Sequence, residues 1–319
     1  TGPLFIQGDH FQISAKNYGA KPEDEVGAVK DLIKEAIAGG FFNIDIDTST
    51  LVDLSFEDLN EQQRKNYEVC AELTEYVRSQ EPEGITISLG GEIGEVGGHN
   101  STVEELNAFM EGYTRAIGGT VGISKISVQT GTSHGGVVLP DGTLAQVSVD
   151  FDTLKDLSRE ARAKYNLGGA VQHGASTLPA SAFGKFPESE AIEIHLATNF
   201  QNMIYDNLPS EYVDSAYDYV RTELKGDWKE GKTEDQFLYS TRKKAIGPFK
   251  REWWDLDADV QKKLGSILQE QFEFLFTQLN VTGTREFVAE ATTIVRQRMA
   301  RPLSALEETD LKVASDLAD

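Results

Sequence analysis

The chain is poor in the residues that would commit it to several large function classes. Its 319 residues include one cysteine, Cys70, which excludes an intramolecular disulfide and a four-cysteine zinc site and fits a reducing compartment. Basic residues are scarce, 30 Lys and Arg against 52 Asp and Glu, giving a net charge of −22. Nucleic acid and anionic membrane surfaces are bound through basic faces, so neither is an expected partner. No apolar run approaches the ~18–20 residues of a membrane helix. The opening TGPLFIQGDH has no basic n-region and no cleavage-like site, so it does not read as a signal peptide, and a cytoplasmic location is expected. It also lacks an initial Met and enters a strand-like run almost at once. No G-x-G-x-x-G opens a helix, which weakens a dinucleotide-binding reading.

What is present is alternation. Short apolar runs occur at Leu4–Ile6, Phe41–Ile46, Ile85–Leu89, Lys125–Val128, Gly169–Val171 and Ala191–Leu196. Each is β-branched or aromatic and bounded by Gly or polar residues, the pattern of buried parallel strands. Between them lie helical stripes. Val26, Val29, Leu32, Ile33, Ala36 and Ile37 share one face, ended by Gly39-Gly40. Tyr67, Cys70, Leu73, Tyr76 and Val77 form a second. A capping box beginning at Thr102 leads into Leu106, Phe109, Met110, Tyr113 and Ile117. Such alternation implies right-handed βαβ units around a parallel sheet, either doubly wound or a (β/α)8 barrel. From about residue 205 only helical patterns remain.

The five histidines, His10, His99, His134, His173 and His195, all fall at or just beyond the carboxyl ends of these runs. That edge is where parallel α/β folds build sites. Three imidazoles from separate strands with an open fourth position make a catalytic metal site. Acids accompany them: Asp9, Asp45, Asp47 and Glu92. Glycines and hydroxyls crowd the same loops and suggest a backbone cradle for a phosphate. Arg242-Lys243-Lys244 and Lys250-Arg251 form the densest basic segment, readable as a solvated helix face or as an anion site.

The stretches GDH at 8–10, IDIDTS at 44–49, GGEIGEVGG at 90–98, GTSHGGVVLPDG at 131–142, QHGAST at 172–177 and IHLAT at 194–198 together resemble the class II, metal-dependent fructose-bisphosphate and tagatose-bisphosphate aldolases. The resemblance covers about residues 1–205 and implies a zinc-dependent TIM barrel, a lyase of carbohydrate metabolism (glycolysis) acting on dihydroxyacetone phosphate units. It places the three histidine ligands on His10, His134 and His173, a further metal-contacting acid on Glu92, and an acid of a second metal position on Asp47. The acid that hands a proton to the aldehyde oxygen falls on Asp9. Phosphate-binding groups fall on Gly135, Gly174, Ser176 and Thr198. The cofactor implied is zinc or another divalent ion, with a monovalent cation as an additional option.

Three positions depart from the family pattern. Asn100 stands where the mobile loop carries its catalytic Glu. His195 stands where an Asn holds the substrate. Ala175 replaces a Gly of the phosphate cradle. With Asn100 unable to act as a base, His99 becomes the expected base and Glu95 the runner-up. The expected fold is α/β, a (β/α)8 TIM-type barrel lacking its first two strand–helix units, with a helical C-terminal extension. The barrel is assigned to 1–205 and the extension to 206–319; the two missing units are expected to precede residue 1. The expected activity is aldol cleavage of a phosphorylated ketose by a homo-oligomer. Another metal-dependent sugar-phosphate reaction, such as epimerisation, or a non-catalytic barrel subunit are the alternatives.

Overall fold

A computed structural model describes residues 4–94, 98–132, 139 and 148–297. Six strands form one all-parallel sheet in chain order: β1 (Gln7–Gln12), β2 (Asn43–Asp47), β3 (Ser88–Gly94), β4 (Lys125–Val128), β5 (Ala170–Gln172) and β6 (Glu193–Ile194). The helices that return the chain are α1 (Ala15–Ala20), α2 (Pro22–Ala38), α3 (Leu59–Gln80), α4 (Val103–Ile117), α5 (Phe151–Tyr165) and α6 (Lys185–Glu188). Beyond β6 the described chain is helical: α7 (Thr198–Tyr205), α8 (Ser210–Thr222), α9 (Glu234–Thr241), α10 (Lys250–Trp254), α11 (Ala258–Gln278) and α12 (Arg285–Ala291).

The helices form where the sequence places start signals. Pro22 occupies the first turn of α2, where its missing N–H goes unneeded. Thr102 and Glu105 close the capping box of α4. Their apolar stripes pack on the sheet through Val29 and Ile33, Cys70 and Leu73, and Phe109 and Tyr113, all buried. Each such side chain contributes about 1.5–3 kcal/mol of burial free energy. The C-terminal helices carry a second, smaller core around Tyr205, Ala216, Val220 and Phe237.

The sheet curls. The Gln7 side chain of β1 reaches Glu193 of β6 at 3.1 Å, so the first and last strands face each other across the interior. This is a six-stranded parallel half-barrel, and the edges of β1 and β6 carry no strand partner among the described residues. β1 begins at Gln7, later than the Leu4–Ile6 run suggests; Leu4 and Phe5 are exposed. β3 likewise runs through Gly90-Gly91-Glu92 rather than ending before them.

Candidate functional site

Asp9 and His10 are consecutive, so a regular strand would aim them at opposite faces. The β1–β2 register shifts between Gly8 and Phe11, and His10 adopts φ 52°. A bulge of this kind re-aims side chains, and a non-glycine residue with positive φ marks local strain. Both side chains consequently reach the interior. β3 repeats the device: its register shifts between Glu92 and Gly94, and Gly94 has φ 59°. A side chain at Gly94 would collide with Ser49 and crowd the Glu92 carboxylate.

These irregularities bring residues of β1, β2, β3 and the strand ends after β5 and β6 together. The His10 and His173 rings lie 4.5 Å apart between centroids. His10 Nδ1 is 3.1 Å from Asp47 Oδ2 and 3.5 Å from Glu92 Oε2. His173 Nε2 is 3.5 Å from Asp9 Oδ1 and 2.8 Å from His195 Nδ1. Asp47 is saturated with donors: Gln12 Nε2 at 2.6 Å, Ser49 N–H at 3.1 Å and Ser49 O–H at 2.7 Å. A carboxylate so held fixes the ring orientation of the histidine it touches. Asn66 supports the neighbouring strand end, donating to the Glu92 carbonyl at 3.0 Å and accepting from Thr48 at 2.6 Å.

The electrostatics are those of acids crowded around imidazoles. Burial and the nearby Asp47 charge push the Glu92 carboxyl well above the usual range. Burial opposes charge on His10, but the hydrogen bond to Asp47 and the fields of Glu92 and Asp9 outweigh it and raise its pKa to about 9. Burial is likewise overcome at Asp9, which His195, His173 and His10 hold below the ordinary carboxylate value. Among the described residues, Asp9, His10 and His173 place one ligand atom each within 4.8 Å of one another, as do His10, Asp47 and Glu92, and Asp9, Asp45 and His195. Two imidazoles beside a buried carboxyl that resists ionisation are a donor set that a divalent cation fits: its charge would relieve the repulsion at Glu92.

A cavity of about 1120 Å³ opens from this cluster toward the C-terminal helices. Gly174, Ser176, Thr198 and Lys243 line it beside Asp9, His10, His173 and His195. Ser176 accepts the Ala197 N–H at 2.9 Å, which leaves its own proton free to donate. The basic segment divides three ways. Arg242 is buried between the rings of Tyr205 and Tyr239, Lys244 pairs with Asp227 at 3.1 Å, and Lys243 faces the cavity.

His99 is brought elsewhere. It is half exposed at the start of α4, bonds Glu105 Oε1 at 3.1 Å, and does not line the cavity. Asn100 donates to Asp150 at 3.1 Å. Glu95, His134 and Gly135 lie outside the described residues. The loop leading to His134 is shaped by Gln129, whose Oε1 accepts the N–H groups of Thr130, Gly131 and Thr132 at 2.8, 3.0 and 3.1 Å. Sequence reasoning passed over Gln7, Lys125 and Glu193, interior polar residues that contact one another or His195. For Lys125 and Glu193 the signal was a charged side chain inside a short apolar run; Gln7, uncharged and just past the Leu4–Ile6 run, carried none.

The family model described as fructose-bisphosphate aldolase class-II matches residues 3–251. No curated protein matches the chain in sequence. Among solved structures, a probable tagatose 6 phosphate kinase from Sinorhizobium meliloti 1021 shares 15% identity with a TM-score of 0.53, over 90% of this chain and 76% of that one. A fructose-bisphosphate aldolase from Campylobacter jejuni shares 18% identity, TM-score 0.46, over 87% and 70%. A fructuronate-tagaturonate epimerase from Cohnella laeviribosi shares 12%, TM-score 0.44, over 86% and 66%. At these identities the first likeness speaks for the fold alone.

Proposed function

Since the chain belongs to the class II fructose-bisphosphate aldolase family, we propose that it catalyses reversible aldol cleavage of a phosphorylated ketose, of the fructose- or tagatose-bisphosphate type, as a zinc-dependent cytoplasmic lyase. One observation carries the reading: imidazoles and carboxylates from separate strands converge at the carboxyl edge of one parallel sheet, at the mouth of a cavity that also holds Ser176, Thr198 and Lys243. An eight-stranded barrel would place two more strand–helix units between β6 and β1, whose outer edges carry no strand partner among the described residues.

His10, His173 and Glu92, joined by His134, would hold the divalent ion, and Asp47 orients His10. A bound divalent ion supplies Lewis acidity at a substrate carbonyl oxygen. Gly174, Ser176 and Thr198 would hold the substrate's proximal phosphate, and Thr198 stands at the start of α7, where N–H groups lack helical partners. Asp9 would accept the hydroxyl proton as the carbon–carbon bond breaks and return it to the aldehyde oxygen in condensation. Its depressed pKa keeps it in the accepting form. The test is a coupled cleavage assay on fructose and tagatose bisphosphates with and without chelator, beside solvent exchange of the C–H proton of dihydroxyacetone phosphate. Metal-dependent exchange with cleavage supports the aldolase; exchange without cleavage points to epimerisation; neither overturns both.

Lys243→Glu should raise KM for a bisphosphate ~10-fold or more over that for a monophosphate, the scale of one charged hydrogen bond. Lys244→Glu should not, because Lys244 is engaged by Asp227. Steady-state kinetics on both substrates check this. For the base, the proposal stays with His99, which must leave Glu105 to reach substrate. His99→Ala should slow proton exchange by about 10²-fold, the lower end for general-base loss, with metal content unchanged. Exchange at full rate in that variant would make His99 a bystander.

A further inference from the structure

Barrel interiors of this kind are filled by layers of branched apolar side chains, each layer drawn from alternate strands. Here one such layer is charged. Asp45 of β2, Lys125 of β4 and Glu193 of β6 meet inside the sheet: Lys125 Nζ lies 3.1 Å from Asp45 Oδ1 and 2.5 Å from Glu193 Oε2. Gln7 of β1 joins them, donating to Asp45 Oδ2 at 2.6 Å and to Glu193 Oε2 at 3.1 Å. The strand between β2 and β4 makes room. Gly90 is in register with both Asp45 and Lys125, and a Cβ there would collide with the Asp45 carboxylate and crowd the Lys125 side chain.

Lys125 is 2% exposed and does not line the cavity, so it is not placed to touch substrate. A buried ion triad is expensive to desolvate and is weak evidence of stabilisation by itself. Its contacts show what it holds. Glu193 Oε2 lies 3.0 Å from His195 Nε2, and His195 Nδ1 lies 3.1 Å from Asp9 Oδ1. The path runs from Lys125 through Glu193 and His195 to Asp9, the residue assigned the proton transfer.

We infer that Lys125 is a positioning residue: it anchors Glu193, and through Glu193 it fixes the ring of His195 against Asp9. The role in turnover rests on the aldolase reading; the placement of His195 does not. Without the ammonium, the Asp45 and Glu193 carboxylates confront each other in the interior. Glu193 then turns away, His195 loses its carboxylate partner at Nε2 while Gln7 Nε2 remains 3.0 Å from that nitrogen, and Asp9 loses an imidazole held at hydrogen-bond distance. Proton transfer depends on geometry at that scale.

The test uses the full chain labelled with ¹⁵N-histidine, which has only five imidazoles to resolve. His195 is assigned by the signals that vanish in His195→Asn. In Lys125→Met the His195 ring nitrogens should move or broaden while bound divalent metal per chain stays the same. The kcat for cleavage should fall ~10–10²-fold, the range for loss of a supporting partner, with KM little changed. Should Lys125→Met fail to fold, Asp45→Asn/Lys125→Met removes one cation and one anion together and should show the same displaced His195. Unaltered His195 signals in either folded variant would overturn the inference and leave Lys125 a structural charge only. An unmutated protein without metal-dependent exchange would instead overturn the aldolase reading, and the imidazole signals alone would then decide the role of Lys125.

Discussion

Replacing His173 with Ala should strip the protein of its divalent ion and remove metal-dependent turnover. The loss should go well beyond the ~10–100-fold that follows removal of a supporting partner. The ring is buried, and it lies against His10, Asp9 and His195. The backbone beneath it is held independently: Thr132 Oγ1 and Gln172 Nε2 donate to the His173 carbonyl at 2.8 and 2.6 Å. The variant should therefore keep its circular-dichroism spectrum while elemental analysis finds no retained transition metal. A folded His173→Ala that binds zinc as the parent does would place the metal elsewhere.

Asp9→Asn should separate two halves of the reaction. The amide preserves shape but cannot take a proton, so kcat for cleavage should fall ~10²–10⁴-fold. Proton exchange on dihydroxyacetone phosphate needs no transfer at the aldehyde oxygen and should continue near the parental rate. The expected split follows from position: Asp9 Oδ1 is bracketed by His173 and His195, and Oδ2 lies 3.8 Å from His10 Nε2. Equal loss of exchange and cleavage, with metal retained, would give Asp9 a different role.

Much of this arrangement was legible in the sequence, and the failures share a physical cause. Apolar runs overlap five of the six strands, and the first run falls just ahead of β1, because burial on both faces of a parallel sheet demands continuous apolar sequence. They misplaced the ends. Leu4–Ile6 read as strand, yet β1 runs from Gln7 to Gln12; Gly90, Gly91 and Glu92 read as loop, yet they are β3. At these ends the interior face carries chemistry instead of aliphatic packing, so hydropathy falls where the strand continues. Gly90 is small because Asp45 and Lys125 meet over it, a contact between strands that no local pattern encodes. The strand-end histidines His10, His173 and His195 do cluster. His99 shares their sequence context but is captured by Glu105 through the helix cap. Lys243 and Arg242, adjacent in a basic run, were inseparable by composition; only packing sends one to the cavity and the other between two tyrosines.

The strand order has a consequence for how the molecule comes to exist. Among the described residues every strand pairs only with its predecessor and successor in the chain, so the sheet can be assembled stepwise, each pairing closing one strand–helix unit and none spanning the whole chain. Emerging from the ribosome, the chain can add one strand and one helix at a time, each new pair docking on an edge already formed. The reactive cluster does not share that locality. Asp9 and His10 arrive with the first strand, but His173 and His195 come about 160–190 residues later by chain numbering. Asp9 therefore waits for its two later imidazole neighbours until the sixth strand lands. Synthesis interrupted before residue 173 should yield a growing sheet that carries His10, Asp47 and Glu92 but lacks the His173 ligand, and that holds metal more weakly than the full chain.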